Sequence, residues 1–157
     1  MMAAEEDIKQ KISDRFPFLQ EKITVKRKRR IFLDVNMEHF KEVLQFAIKD
    51  LNFTFLCTIA GLDEMDKFSL MYQLDDGSGI MLNIRTSISR EDPVLDSITP
   101  IFPNADIYER EMVDLFGIKV KGLPKGERYP LPDDWPAGQY PLRKDWKSEI
   151  LDKKEII

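Results

Sequence analysis

The spacing of apolar residues predicts two amphipathic helices in the first third of the chain. The first covers residues 5–16 and ends before Pro17, because a proline ring cannot continue a helix. Its apolar positions are Ile8, Ile12 and Phe16. The second covers residues 37–51, and the side chain of Asn36 can accept a capping hydrogen bond at its start. Its apolar positions are Phe40, Val43, Leu44, Ala47 and Leu51.

Alternating apolar and polar residues predict the strands. Residues 22–35 form two alternating runs on either side of a basic stretch, residues 26–30, and this pattern predicts a β-hairpin with a basic tip. Three further β-rich runs cover residues 53–61, 67–74 and 80–87. Because short turn sequences separate these three runs, they predict an antiparallel meander.

Two helical segments are predicted after the meander. One or two turns cover residues 94–102, and a longer helix begins after Asn104, which can cap it, and ends at Phe116, where Gly117 supplies the stop. Helices that flank a run of strands without regular β–α–β alternation are typical of an α+β fold. We therefore expect a mostly antiparallel sheet with the helices packed on one face.

The composition changes after Gly117. Residues 117–146 contain five of the nine prolines, four of the seven glycines and both tryptophans. Prolines remove backbone donors and favour extended neighbours, so we divide the chain into an α+β domain, residues 1–116, and an extended C-terminal tail, residues 117–157. Large aromatic side chains need a surface to bury against. The tail therefore either folds back on its own domain or, as we favour, wraps a partner protein; its aromatic residues are Tyr129, Trp135, Tyr140 and Trp146.

Composition and charge restrict the classes of function. Apolar residues make up 43% of the chain and the formal net charge is −4. This balance is typical of a globular protein, and the acidity argues against nucleic acid as the partner. The longest apolar stretch, residues 53–62, is about half as long as the roughly 20 residues that a membrane-spanning helix needs. The first residues lack the pattern of a secretory signal, so we expect no export.

The residue types that hold metals are sparse. His39 is the only histidine and has no cysteine companions at ligand spacing, so we expect a helix-surface histidine and no metal site. Cys57 is the only cysteine; its apolar neighbours predict a buried thiol, and one thiol agrees with a reducing compartment. One cysteine cannot ligate an iron–sulfur cluster in the usual way. Any electron carrier is therefore expected in another chain.

The densest group of charged residues lies in the last predicted helix. Glu109 and Glu111, together with Asp114, could serve as general acid and base. Helical geometry favours a different interpretation, because Asp106, Arg110 and Asp114 lie at i, i+4 and i+8. We expect this ladder to be solvated or to contact a partner. The opposite, apolar face consists of Tyr108, Met112, Leu115 and Phe116.

Two linked motifs carry a family resemblance. Residues 108–118, Tyr-Glu-Arg-Glu-Met-Val-Asp-Leu-Phe-Gly-Ile, resemble the signature of the thirty-kilodalton subunit family of NADH:quinone oxidoreductase, which is respiratory complex I. Residues 131–135 and 140–146 match the second half of that signature. The positions that we assign to the motif or to a partner interface are Glu109, Arg110, Glu111, Asp114, Phe116, Gly117, Tyr129, Asp133, Asp134, Trp135, Tyr140, Pro141, Leu142, Arg143, Lys144, Asp145 and Trp146.

The resemblance implies a cofactor-free accessory subunit in the peripheral arm of a membrane-bound, ion-translocating redox complex, on the cytoplasmic side of the membrane. It implies docking on the hydrogenase-like large subunit of such a complex. Iron–sulfur subunits would be further partners, membrane subunits indirect ones, and a nickel–iron centre or a quinone would belong to those partners. No catalytic residue is implied in this chain.

The branch of the family stays open. Complex I members have Gly-His-Pro followed by a Leu-Arg-Arg stretch, where this chain has Gly122-Leu123-Pro124 followed by Lys-Gly-Glu-Arg at residues 125–128. This departure argues against the NADH branch and keeps an energy-converting hydrogenase, or a related ferredoxin- or F420-linked complex, open beside it. Two functions of other classes also stay open. One is a free-standing enzyme that uses Glu109, Glu111 and Asp114, and the other is a small module that binds anionic partners through residues 26–30.

Overall fold

The computed structural model describes residues 4–148, and this part of the chain contains three α-helices and seven strands. A 3₁₀ turn, Pro17–Leu19, follows the first helix. In chain order the elements are α1 (Ala4–Arg15), β1 (Ile23–Arg27), β2 (Arg30–Asp34), α2 (Met37–Lys49), β3 (Phe55–Asp63), β4 (Lys67–Asp75), β5 (Met81–Ser89), β6 (Val94–Asp96), α3 (Ala105–Phe116) and β7 (Lys119–Lys121).

The chain is divided by its contacts into two compact units. The first contains the residues up to Ala60 together with Ser69–Ile88, and so includes α1, α2 and most of the sheet. The second contains Gly61–Phe68, which is the tip of the β3–β4 hairpin, and the chain from Ser89 onward. The second unit therefore holds α3 and the tail.

Five strands form one mixed sheet in the order β1-β2-β5-β4-β3. β1 and β2 are antiparallel, with Ile23 opposite Leu33, whereas β2 runs parallel to β5, with Arg30 opposite Met81. The predicted meander is present, because β3, β4 and β5 are neighbours in chain order and their short turns require antiparallel pairing. The parallel pair arises because α2 carries the chain to the far edge of the sheet before the meander returns to β2. The α+β class is confirmed.

Aromatic side chains pack the helices of the first unit. The ring centroids of Phe16, after α1, and Phe46, on α2, lie 5.5 Å apart with the rings nearly perpendicular. Phe40 on α2 lies 4.5 Å from Tyr72 on β4, and both side chains are buried. Burying a side chain of this size contributes about 1.5–3 kcal/mol. Tertiary packing of this kind, more than intrinsic propensity, stabilises helices of 12 and 13 residues.

The helix ends agree with the predictions better than the caps do. Asn36 and Asn104 occupy the N-cap positions of α2 and α3, but neither side chain makes a capping hydrogen bond. The carbonyl oxygen of Asn36 instead accepts a hydrogen bond from the amide of His39 at 3.0 Å. At Asn104 the backbone is already helical, with φ −72° and ψ −6°, which is not the extended geometry that a capping side chain uses. Both side-chain caps were therefore predicted wrongly.

The segment after Pro93 begins as a strand. β6 pairs in parallel with β7, so the helical turns predicted at residues 94–102 are wrong for the first three of them. A single turn follows, in which the amide of Phe102 donates to the carbonyl of Ile98 at 2.8 Å. β7 is also a short paired strand within the segment that was predicted as an extended tail. Because the two strands lie on either side of α3 in the sequence, no local pattern could show their pairing.

Residues at the surface give a mixed result. His39 lies half exposed on α2, as expected, with its ring 4.6 Å from that of Phe18. Cys57 is exposed, so the buried thiol was a wrong prediction. In β3, Leu56 and Ile59 are buried, whereas Cys57 between them is not. Within residues 4–148, no helix combines the length and apolarity needed to cross a bilayer.

The basic tip of the first hairpin is bonded to its own unit. Lys26 lies 4.4 Å from the ring centroid of Phe32, and the amide of Arg29 donates to the carboxylate of Glu5. Arg30 donates to the carbonyls of Arg29 and Gly79, at 2.7 and 3.3 Å. These contacts give the tip a structural role and do not favour the anion-binding alternative.

Candidate partner interface

α3 carries the first motif and lies in the second unit. Its buried residues are Ala105, Glu109, Met112, Asp114 and Phe116, so the two acidic members are an exception to the expected apolar face. Gly117 ends the helix in the left-handed conformation, at φ 71°, and its amide donates to the carbonyls of Met112 and Val113. The predicted stop at Gly117 is thus in place. Side chains of α3 form hydrogen bonds with the chain before the helix and with the tail after it.

Glu109 fixes the turn after β6. Its side chain is 1% exposed, and its two oxygens accept hydrogen bonds from the Ser97 hydroxyl at 2.6 Å and the Ile98 amide at 2.7 Å. Burial raises the pKa of this carboxyl, although the two hydrogen bonds act in the opposite direction. Because both oxygens are used and neither is open to solvent, Glu109 serves structure in this conformation. It is not placed to act on a substrate.

Arg110 attaches the beginning of the tail to α3. It forms the predicted ion pair with Asp106, at 2.9 Å, on the preceding turn. Its other donors reach the carbonyls of Pro124, at 2.7 Å, and Glu127, at 3.1 Å. A rigid guanidinium can serve several acceptors at once in this way. Of the predicted Asp106–Arg110–Asp114 ladder, only Asp106 and Arg110 form an ion pair among residues 4–148. The other hydrogen bonds of Arg110 go to backbone carbonyls.

Asp114 attaches the next part of the tail. Its carboxylate accepts hydrogen bonds from Arg128 at 2.7 Å and from the amide of Leu131 at 3.0 Å. Arg128 in turn donates to the carbonyl of Trp135 at 3.0 Å. The partner of Asp114 is therefore the tail and not Arg110. Charge-assisted contacts of this length are among the stronger hydrogen bonds in proteins.

Arg143 binds the tail to the C-terminal end of α3. Its Nε donates to the carbonyl of Phe116 at 2.7 Å, which satisfies a helix-end acceptor. Its guanidinium lies 5.2 Å from the ring centroid of Phe68 and 4.8 Å from that of Tyr140. The amide of Leu142 donates to the carbonyl of Leu115 at 3.1 Å. These contacts place residues 140–143 directly against the helix terminus.

An ion-pair cluster of Asp63, Arg90 and Asp145 binds the tail just after Arg143. Arg90 contacts Asp63 at 3.2 Å and Asp145 at 2.6 Å, and the amide of Lys144 donates to Asp63 at 3.0 Å. Burial by itself raises the pKa of Asp63, but the amides of Lys144 and Met65 and the Arg90 guanidinium hold it below its ordinary value. The hydrogen bond from Arg90 likewise lowers the pKa of Asp145.

The two tryptophans meet around one glutamine. Trp135 and Trp146 have ring centroids 6.1 Å apart, and both indole N–H groups donate to Gln139, at its carbonyl and at its side-chain oxygen. Both rings are partly exposed. The described part of the tail, residues 117–148, is therefore hydrogen-bonded along its length to the second unit and to itself.

The tail nevertheless presents apolar surface to solvent. Leu142 is 51% exposed and Tyr129 is 40% exposed. Val113 on α3 and Tyr129 line one cleft, in which Arg110 and Asp114 also lie, and Leu142 lines a second with Leu62. Among the other assigned motif positions, Asp133, Asp134, Lys144 and Asp145 are exposed, while Glu111 and Pro141 are partly exposed.

Several residues that bond the tail to the second unit were missed by the sequence reasoning. Asp63 and Arg90 are separated from Asp145 by most of the second half of the chain, and Ser97 gave no pattern at all. Arg128 offered little signal, because its partner Asp114 lies 14 residues earlier in the sequence. In residues 4–148, no three histidine, cysteine or acidic side chains are grouped to hold a metal ion.

The two motifs lie on the last helix of an α+β fold and on the tail bonded to that helix, and together they indicate the thirty-kilodalton subunit family. Residues 33–150 match the family model described as respiratory-chain NADH dehydrogenase, 30 Kd subunit, and the chain belongs to this family. The resemblance inferred from the two motifs is confirmed.

Individual relatives come from more than one kind of complex. A subunit of the F(420)H(2) dehydrogenase of Methanosarcina mazei is 30% identical over 139 residues, 87% of each chain. The membrane-bound hydrogenase subunit beta of Pyrococcus furiosus is 30% identical over 156 residues, 93% of this chain and 88% of that protein. A chain of the membrane-bound sulfane sulfur reductase, an archaeal respiratory membrane complex, superposes with a TM-score of 0.81 at 25% identity, over 97% of this chain and 94% of that one.

Proposed function

We propose that this chain is an accessory subunit of a membrane-bound, ion-translocating redox complex, either complex I-like or energy-converting hydrogenase-like, on the cytoplasmic side of the membrane. It docks on the hydrogenase-like large subunit through the tail and α3. In this role it contributes assembly and shape. Electron transfer belongs to iron–sulfur clusters, and to nickel–iron or quinone, in its partners.

The observation that carries the proposal is an ordered tail with outward apolar side chains. None of residues 119–148 is fully buried, although this stretch holds both tryptophans and two tyrosines. Leu142 is half exposed while its own amide is bonded to the carbonyl of Leu115. An apolar side chain on a fixed backbone is the kind of anchor that protein interfaces use.

The charged motif residues support the same proposal from inside the chain. Arg110, Asp114 and Arg143 each bind tail backbone, a tail side chain or the end of α3. Their contacts order the surface, and the apolar residues are left to contact the partner. This division explains why a surface with a dense charged motif can still be an apolar docking site.

The alternative functions gain no support from the site. The Glu109 carboxylate is enclosed and bonded to Ser97 and Ile98, so it does not form an acid–base pair with Glu111. The ordering contacts of Asp114 point to the tail. Neither carboxylate faces a common reaction centre.

The test is capture of the complex from its own cells through a tag on this chain, followed by native mass analysis. Co-purification of a hydrogenase-like large subunit is expected. Leu142→Glu and Tyr129→Glu should each reduce its recovery by about 10- to 100-fold, because burying an unpaired carboxylate at an interface is costly. Arg143→Ala should also reduce recovery, by releasing Tyr140.

Phe55→Glu is the matched control, since Phe55 is 58% exposed but lies in the first unit. It should leave the recovery unchanged. A chain that emerges alone from the cells would overturn the proposal. Equal recovery of the large subunit with Leu142→Glu, Tyr129→Glu and Phe55→Glu would place the interface elsewhere.

A further inference from the structure

We propose that Arg90 is a positioning residue that holds residues 140–146 in their partner-binding conformation before any partner binds. The inference rests on the proposed function for the identity of the partner, but its first consequence concerns the isolated chain. The tail is ready-formed, and the partner meets a fixed surface. The alternative is a tail that becomes ordered only on binding.

Asp63 is the centre of the arrangement. Its side chain is 1% exposed, and it accepts hydrogen bonds from the amide of Met65 at 2.8 Å, from Arg90 and from the amide of Lys144 at 3.0 Å. Met65 lies in the turn that begins with Asp63 itself, whereas Lys144 is a tail residue. One enclosed carboxylate therefore joins the β3–β4 turn to the tail. Such a carboxylate needs a cation, and Arg90 supplies it.

Arg90 extends the connection by one residue. Its side chain is 19% exposed, and its Nη2 donates both to Asp63, at 3.3 Å, and to Asp145, at 2.6 Å. Arginine is suited to this because its planar donors are fixed relative to one another. Lys144 and Asp145 are consecutive. The Asp63–Arg90 pair therefore binds the tail twice, at the backbone amide of Lys144 and at the side chain of Asp145.

The cluster acts together with the contacts made by Leu142 and Arg143. The amide of Leu142 is bonded to the carbonyl of Leu115, and Arg143 is bonded to the carbonyl of Phe116. Four consecutive residues, 142–145, thus each carry a hydrogen bond to the body of the second unit. A segment fixed so densely has already lost its conformational freedom, and binding does not have to remove it again.

Hydrogen exchange on the isolated full-length chain tests the inference directly. The amides of Leu142 and Lys144 should be protected in the natural protein, because both are donors in these bonds. Arg90→Gln should accelerate their exchange by at least about 10-fold, and Asp145→Asn by a smaller factor, since Asp145 is exposed. Arg90→Lys, which keeps the charge but not the planar geometry, should restore protection only in part.

Local and global effects can be separated. Asp145→Asn should leave the far-UV circular dichroism melt unchanged while it accelerates exchange, which a general loss of stability would not do. Arg85→Gln is the matched control: it removes the pair of Arg85 with Asp34, at 2.6 and 2.8 Å, in the first unit, and should leave tail exchange unchanged. Binding to the purified large subunit should become slower in association by about 10-fold for Arg90→Gln, with less change in dissociation.

The outcomes distinguish the two proposals. Unprotected amides at Leu142 and Lys144 in the natural chain, or protection that survives Arg90→Gln, would overturn the positioning role. Protection lost in Arg90→Gln with a natural chain that fails to bind the large subunit would support the positioning role and overturn the proposed partner. An unchanged association rate for Arg90→Gln, with exchange accelerated, would show that order in the tail does not serve docking.

Discussion

Replacing Gly117 by alanine should destabilise the second unit well beyond the usual cost of losing a glycine. Gly117 has φ 71°, where an L-residue costs about 1–2 kcal/mol relative to glycine. A Cβ there would also lie 2.5 Å from two ring atoms of Tyr140. The ring would have to move, and overpacking of this kind costs about 1–3 kcal/mol. The two contributions together predict a loss of about 2–5 kcal/mol for Gly117→Ala.

Gly138 provides the matched control for the backbone contribution. It has φ 76°, but beyond its chain neighbours no heavy atom lies within 4 Å of the position that a Cβ would occupy. Gly138→Ala should therefore cost only about 1–2 kcal/mol. Tyr140→Ala provides the second control, because without the ring Gly117→Ala should also fall to about 1–2 kcal/mol. The coupling energy between Gly117 and Tyr140 is then the steric contribution.

Urea unfolding measures these differences. Far-UV circular dichroism follows the helices and the sheet, while tryptophan fluorescence follows the tail, since both tryptophans lie there. The natural chain, Gly117→Ala, Tyr140→Ala and the double variant of these two form the cycle, and Gly138→Ala is measured beside it. If Gly117→Ala and Gly138→Ala cost the same, or if the cost of Gly117→Ala is unchanged without Tyr140, the ring of Tyr140 does not pack on the helix end.

Two further predictions concern buried and paired carboxylates. Glu109→Ala should cost about 2–3 kcal/mol in urea unfolding, because two donors lose their acceptor; Glu109→Gln should cost less than about 1 kcal/mol, since the amide can accept one bond and donate to the Ser97 hydroxyl. Burial raises the pKa of Glu109 in the folded protein. The pH-dependent contribution of this carboxyl to the free energy of unfolding is therefore fully present below its unfolded pKa and is lost as pH rises through the folded pKa. The Gln variant should remove that part of the pH profile, and an unchanged profile would contradict the assignment. The pKa values of Asp63 and Asp145 are lowered, so their contribution is present above the unfolded pKa of roughly 4 and is lost as pH falls through the folded values. Tail fluorescence should report this loss in an acid titration, and Asp145→Asn should shrink it.

The sequence predicted those parts of the fold whose signals are local. The stop at Gly117 and the periodicity of α3 lie within one helix, and the turns of the meander lie within a few residues. β6 was mistaken for helix because its partner, β7, follows α3. Cys57 was assigned to the interior because a run of apolar residues does not show which of its members are buried.

In the candidate site, too, contacts between residues distant in the sequence could not be predicted. Asp114 was paired with Arg110 on its own helix, where the spacing is visible in the sequence, whereas its carboxylate binds Arg128 in the tail. Asp63 and Arg90 were invisible for the same reason. Aromatic recurrence correctly indicated that the tail must pack, and it could not say whether the packing surface belongs to this chain or to another.

The contacts of the tail suggest that these two alternatives are not exclusive. Hydrogen bonds to Arg110, Asp114 and Asp63 use the polar groups of the tail against its own unit, and they leave Tyr129 and Leu142 facing outward. Buried polar groups that are already paired do not have to be desolvated again when a partner binds, and fixed apolar side chains lose little entropy there. A tail that packs on its own helix is for this reason a better docking surface than a free one. Under the proposed function, the charged motif would serve partner binding indirectly, through the contacts that it makes within the chain.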